Sequence, residues 1–211
     1  MKFWIKLVFI FSIPILCGIS DNFLLFTPDL FSKAENYQFL KTISKDQQKM
    51  GLLLGMICIP MLYLCFTFLA TQLDLASQKA LLSLRKIVLV LIFIGCLVHT
   101  MYYFLLEWIQ LLPYVFYFAK GLEILFVVSF LFFADTLYQI SSKKQHIDLY
   151  KIRFFNPFGY LILCVIFALI YPLMGIRFLI SAFNLSFLWV LIGYFFLVLI
   201  PQKIRKIPNI T

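Results

Sequence analysis

The chain has 211 residues, of which 64% are hydrophobic and only 13% charged, with a formal net charge of +9. A soluble domain of this length is about 45–50% apolar and about 25% charged, so the composition excludes an ordinary soluble globule. The apolar residues run in long blocks and not in the ~10-residue alternating segments of a membrane barrel, so the expected spans are helical.

Six apolar blocks are read as spans, at 4–26, 50–73, 86–106, 115–140, 157–175 and 178–200. The expected fold is an all-α polytopic membrane bundle forming a single integral membrane domain. The first block has a basic start, Lys2 and Lys6, and carries Asp21 and Asn22 near its other end. It has a second reading, a cleaved signal peptide with Gly18-Ile19-Ser20 as the small-residue site. The apolar Phe23-Leu24-Leu25-Phe26 beyond that site favours a retained span.

The long connection at 28–49 places Leu30, Phe31, Ala34, Tyr37, Leu40 and Lys41 at helical spacing. An amphipathic helix lying over the bundle fits this pattern, and so does a solvated loop. The second block opens with Gly51 and Gly55, a spacing that lets helices approach closely, and carries Pro60 as a kink. The third block holds His99, with Tyr102, Tyr103 and Glu107 after it. Positions 99, 103 and 107 are four apart and are expected on one face. The fourth, entered at Pro113, contains FAKGLEILF at 118–126, which sets Lys120 ~10 Å and Glu123 ~15 Å below Pro113. The fifth and sixth contribute Pro172, Arg177, Ser181 and Asn184.

Lys and Arg set the orientation. Twelve lie at the N-terminus, the second and fourth connections and the C-terminus, against five in the first, third and fifth connections. The positive-inside rule places both termini in the cytoplasm. Their position between apolar blocks makes these cations topology signals, and no nucleic-acid partner is expected.

Ionisable groups inside a bilayer are costly unless paired or hydrated, and they mark functional sites. Asp21, Asn22, His99, Tyr103, Glu107, Lys120, Glu123 and Asn184 come from four spans and all fall toward the outer half. They are the candidate ligand-binding or proton-relay residues, and Gly51, Gly55 and Pro60 the helix-packing or kink residues. The expected partners are the lipid bilayer and a small amphiphile or cation, held in a polar cavity open to the outside. Two rival readings stay open. One is an enzyme acting on a lipid-like substrate, with Asp21, His99 and Glu107 as acid–base groups. The other is a non-catalytic partner subunit. No GxSxG, Gly-rich phosphate loop or HxxxH pair is present, and the five cysteines all sit in apolar runs without CxxC spacing. No cofactor and no metal are expected.

The run Gly18-Ile19-Ser20-Asp21, GLLLGMICIP at 51–60, HTMYYFLLE at 99–107, Asn156-Pro157, Pro172 and Ala182-Phe183-Asn184-Leu185 follow one another along nearly the whole chain. In this order they resemble a bacterial family of small six-span membrane proteins defined only as a domain of unknown function. The resemblance implies six spans in a bacterial membrane, here expected to be the cytoplasmic one, and marks Asp21, Gly51, Gly55, Pro60, His99, Tyr103, Glu107 and Asn184. It implies no activity. The chain departs from the family pattern at Cys65-Phe66-Thr67-Phe68, where members carry Trp and His, and Lys120 and Glu123 lie outside the pattern.

Overall fold

A computed structural model describes residues 3–27, 35–72, 78–142 and 154–199. The described residues are almost entirely helical, without strands. The order is α1 (Phe3–Leu25), a 3-10 helix (Glu35–Thr42), α2 (Lys45–Gln72), α3 (Gln78–Leu111), α4 (Val115–Ser142), α5 (Pro157–Ile170), α6 (Pro172–Ile180) and α7 (Ala182–Tyr194), closed by a π-helical turn at Phe195–Leu199. Four helices are long and apolar enough to cross a membrane: Trp4–Leu25, Lys45–Phe68, Leu82–Leu105 and Val115–Gln139. The bent pair Pro172–Ile180 and Ala182–Leu197 gives a fifth if it is one span.

Blocks five and six are laid out differently from the sequence expectation. Tyr171 separates α5 from α6, because Pro172 has no N–H to continue the ladder. The chain turns by 86° between α6 and α7. At that break Asn22 Nδ2 donates to the Arg177 carbonyl at 3.2 Å and to Ser181 Oγ at 2.6 Å. Ser181 Oγ in turn donates to the Gly18 carbonyl at 2.9 Å. The Asn22 side chain of α1 thus adds a second donor to the Arg177 carbonyl, which also takes the Ser181 N–H at 3.4 Å.

The bundle is apolar on both sides of its helices. Inside, Ile13, Leu62, Leu91, Phe187 and Leu191 are buried together. Outside, Val8 is 71% and Leu169 79% exposed, with Ile124 and Phe132 also on the surface. The face of a soluble helix opposite its core is polar; here it is hydrocarbon. Pro60 lies on that exposed face within an otherwise continuous α2.

The 3-10 helix caps one end. Tyr37, Phe39 and Leu40, with Ile43 just after, bury against Met101 and Leu105 of α3 and Val115 and Ala119 of α4. Gln48 Nε2 fixes it by donating to the Leu40 carbonyl at 3.0 Å. The connection is therefore packed where it is described; Leu30, Phe31 and Ala34 lie outside the described residues, and Lys41 is exposed.

Asn156 ties α5 to α4. Its Oδ1 accepts the Phe158 N–H at 3.0 Å as an N-cap, and its Nδ2 donates to the Ala134 carbonyl at 3.1 Å. Asn156→Ala is expected to cost about 0.5–2 kcal/mol and lower the thermal midpoint in detergent. Asn156→Asp keeps the cap but faces the Ala134 carbonyl with an acceptor, so it should recover little of that loss.

Candidate functional site

The site is built where α1, α2 and α3 come closest. Gly51 packs on α1: a Cβ there would stand 2.7 Å from the Leu24 backbone nitrogen. Gly55 lies against the imidazole of His99, whose ring would collide with any Cβ at that position. The two glycines therefore do what their spacing predicts. They admit a neighbouring backbone on one side and a buried ring on the other.

The Gly51 carbonyl is the meeting point. It accepts from Ser20 Oγ at 2.8 Å and lies 3.0 Å from His99 Nε2. Ser20 Oγ is itself 3.1 Å from that nitrogen. On the other edge of the ring, His99 Nδ1 faces Asp21 Oδ1 at 3.5 Å. Asp21 Oδ2 accepts from Asn184 Nδ2 of α7 at 2.5 Å. Ser20, His99 and Asn184 are buried, and Asp21 nearly so. One polar chain thus links four helices, in a setting where each unpaired group would be costly.

A second polar group stands across from it. Glu123 Oε1 accepts from the Tyr102 hydroxyl at 2.5 Å, and Oε2 from Lys120 Nζ at 3.1 Å. Lys120 Nζ also sits 4.3 Å above the Tyr37 ring, a cation–π contact. Tyr37 holds φ at +58°, in the left-handed region, at a cost of about 1–2 kcal/mol. Edge-on contacts with the Tyr102 and Phe116 rings help to hold it there. Burial, and then the neighbouring Glu123 carboxylate, push the Tyr37 hydroxyl above its ordinary range.

Between the two groups lies a cavity of about 310 Å³. Asp21, His99, Asn184, Tyr102 and Glu123 supply its polar lining. Phe126, Val127, Ile180 and Phe183 supply apolar lining, and Val127 is exposed on the bundle surface. Below it α4 and α7 meet through rings, Phe126 on Phe183 at 5.0 Å and Phe133 on Phe187 at 5.1 Å.

Of the sequence candidates, Asp21, His99, Glu123 and Asn184 line this cavity, and Lys120 borders it through Glu123. Asn22 does not: its amide is committed to Gly18, Arg177 and Ser181 at the helix break. Tyr103 and Glu107 do not either. Glu107 pairs with Lys45 at 3.0 Å, both side chains more than half exposed, and Lys45 lies 5.3 Å from the Tyr103 ring. Each four-residue step advances ~40° around a helix, so Glu107 points ~80° away from His99. Tyr102, three residues after His99, takes the cavity side instead.

Ser20 was missed as a site residue. Its only sequence signal is a small hydroxyl beside an aspartate in an apolar run. Ser20, His99 and Asp21 resemble a hydrolase triad in order, yet Ser20 is fully buried and its hydroxyl donates to a backbone carbonyl. Among the described residues no three His, Cys, Asp or Glu side chains gather as metal donors would. Comparison of the chain with protein families, with curated proteins and with solved structures finds no match.

Gly55→Ala should displace the His99 ring and destabilise by about 1–3 kcal/mol. In a His146→Gln background it should also raise reactivity toward diethylpyrocarbonate. Gly121→Ala, with no atom within 4 Å of the added carbon, should leave both unchanged. Glu107→Gln should shift stability by less than about 1 kcal/mol and leave cavity ligand binding as it was, since its ion pair is solvated.

Proposed function

We propose that the chain is a polytopic membrane bundle that binds or moves a small amphiphile or cation through the cavity between α1, α3, α4 and α7. In this reading the four long helices cross the bilayer, and α5 with the bent α6–α7 pair completes six crossings. The 14 residues of α5 span only ~21 Å of a ~30 Å hydrocarbon core, so this part would sit in thinned lipid or tilt little. The Lys and Arg bias keeps both termini in the cytoplasm and puts the cavity in the outer half. A bacterial membrane is the setting that the motif resemblance implies, with the cytoplasmic membrane as the expected one.

The observation that carries the reading is the cavity lining. Two carboxylates, an imidazole, an amide and a phenol share its lining with hydrocarbon side chains. Ligand sites combine an apolar wall with a few convergent polar groups in this way. Intramembrane carboxylates are also kept where they face a substrate path. The enzyme reading has less support. Of Asp21, His99 and Glu107, only the first two meet, and among the described residues the hydroxyl beside them, Ser20, is fully buried.

Cysteine labelling tests this. With the native cysteines replaced, Glu123→Cys and Asn184→Cys should react with a membrane-impermeant thiol reagent, and Leu169→Cys on the apolar surface should not. A dodecyl amphiphile should slow the first two by competing for the space. Protection at both positions in a folded protein would mean a dry structural network and would favour a partner subunit.

A further inference from the structure

The hydrogen bonds around His99 fix a proton count. Nε2 lies 3.0 Å from the Gly51 carbonyl oxygen, which can only accept. Nε2 therefore carries a hydrogen, and two lone pairs would otherwise oppose each other. The Ser20 hydroxyl hydrogen is already directed at the same carbonyl. At the other edge, Nδ1 faces an oxygen of Asp21. One further hydrogen belongs between them, on the ring or on the carboxyl. Either placement leaves Asp21 and His99 neutral as a pair. Glu123 and Lys120 also cancel. The cavity is thus electrically neutral as it stands.

Its hydrogen-bonding capacity is not balanced. Asn184 directs its Nδ2 to Asp21, because a carboxylate oxygen cannot receive the amide oxygen, and this fixes the amide orientation. Asn184 Oδ1 is then a buried acceptor without a partner, on a residue only 3% exposed that lines the cavity. The Tyr102 hydroxyl has given its hydrogen to Glu123, and Asn184 Nδ2 directs one of its two to Asp21. Each carboxylate has sites for further donors. What the cavity lacks is a donor-rich occupant.

We propose that the cavity takes a primary ammonium head group from an amphiphile in exchange for the one proton that Asp21 and His99 share. The proposal rests on the binding reading above. The ammonium would donate to Asp21 and Asn184 Oδ1, with the hydrocarbon tail against Phe126, Val127 and Ile180. Charge sets the exchange. A cation entering a neutral, poorly solvated cavity leaves an uncompensated charge, unless a proton departs. A protonated site plus R–NH3+ becomes an ammonium-loaded site plus one H+, and no bond other than that to the proton is broken. The groups facing Asp21 are His99 and Tyr102 of α3 and Asn184 of α7, with Cys17 on its own helix; Glu123 of α4 lies across the cavity. Among these, the Asp21–His99 pair is where one proton can leave without stranding a buried donor.

The test is calorimetric titration of the full chain in phosphatidylcholine nanodiscs with dodecylammonium, in buffers of differing ionisation enthalpy, with empty discs subtracted. About one proton should be released per ligand bound. Dodecyltrimethylammonium, which has no donor, should bind about tenfold more weakly. Methylammonium should also bind weakly, which separates an amphiphile from a free cation. Asn184→Leu should lose the primary-over-quaternary preference and keep proton release. Asp21→Asn should lose both affinity and release; its thermal midpoint checks its fold. Tight binding without proton release overturns the exchange, and equal affinity for the primary and quaternary heads overturns the recognition. Methylammonium binding as tightly as dodecylammonium overturns the amphiphile. Failure of every amphiphile to bind would remove the underlying binding reading instead.

Discussion

The polar interior of this bundle depends on the missing side chains at Gly51 and Gly55. A backbone carbonyl in a helix already accepts from the N–H four residues on, but its oxygen has a second lone pair. At Gly51 that lone pair is open to α1, because no Cβ holds that helix away. Ser20 and His99 both use it. The same close approach at Gly55 leaves room for the imidazole, and the ring's other edge is then turned to Asp21. Any larger residue would separate the helices and part the buried histidine from the carbonyl and hydroxyl it faces. In a low-dielectric interior that would cost more than the packing change alone.

From that contact the network spreads outward by necessity. Asp21 has two oxygens, and the second is served by Asn184. Asn184 is the third residue of α7, so its position depends on where the helix begins. The bend before α7 fixes that start, and Asn22 and Ser181 hold the bend. Neighbouring residues of α1 thus do different work. Asp21 faces the cavity, and Asn22, ~100° further round, holds the helix break.

The cap over the bundle adds a separate constraint. The 3-10 helix seats Tyr37 in a backbone conformation that tyrosine rarely adopts. Its ring then fills the space between Tyr102 and Phe116 and lies beneath Lys120. Lys120 and Glu123, the two charges in FAKGLEILF, are thereby held by an aromatic face, a phenol and each other. They border the cavity, with the Lys120 side chain half-exposed.

Much of this was legible in the residues. The helical fold and four of its long apolar helices follow from block length, because only a helix satisfies a backbone where water is absent. Gly51 and Gly55 stood out by their spacing, and Asp21, His99, Glu123 and Asn184 by chemistry that is costly in an apolar run. Which polar groups meet was not. A one-dimensional spacing rule kept 99, 103 and 107 on one face, yet the drift of a 3.6-residue turn carries Glu107 to the surface and lets Tyr102 face the site. Ser20 was hidden, because a hydroxyl's role depends on the carbonyl it finds, and that carbonyl is on another helix. The break at Ser181 was hidden for the same reason: side chains from α1 stabilise it. Sequence determines the cost of each group, and tertiary structure decides which partner offsets it, since hydrogen bonds act over about 3 Å and chain separation says little about that distance.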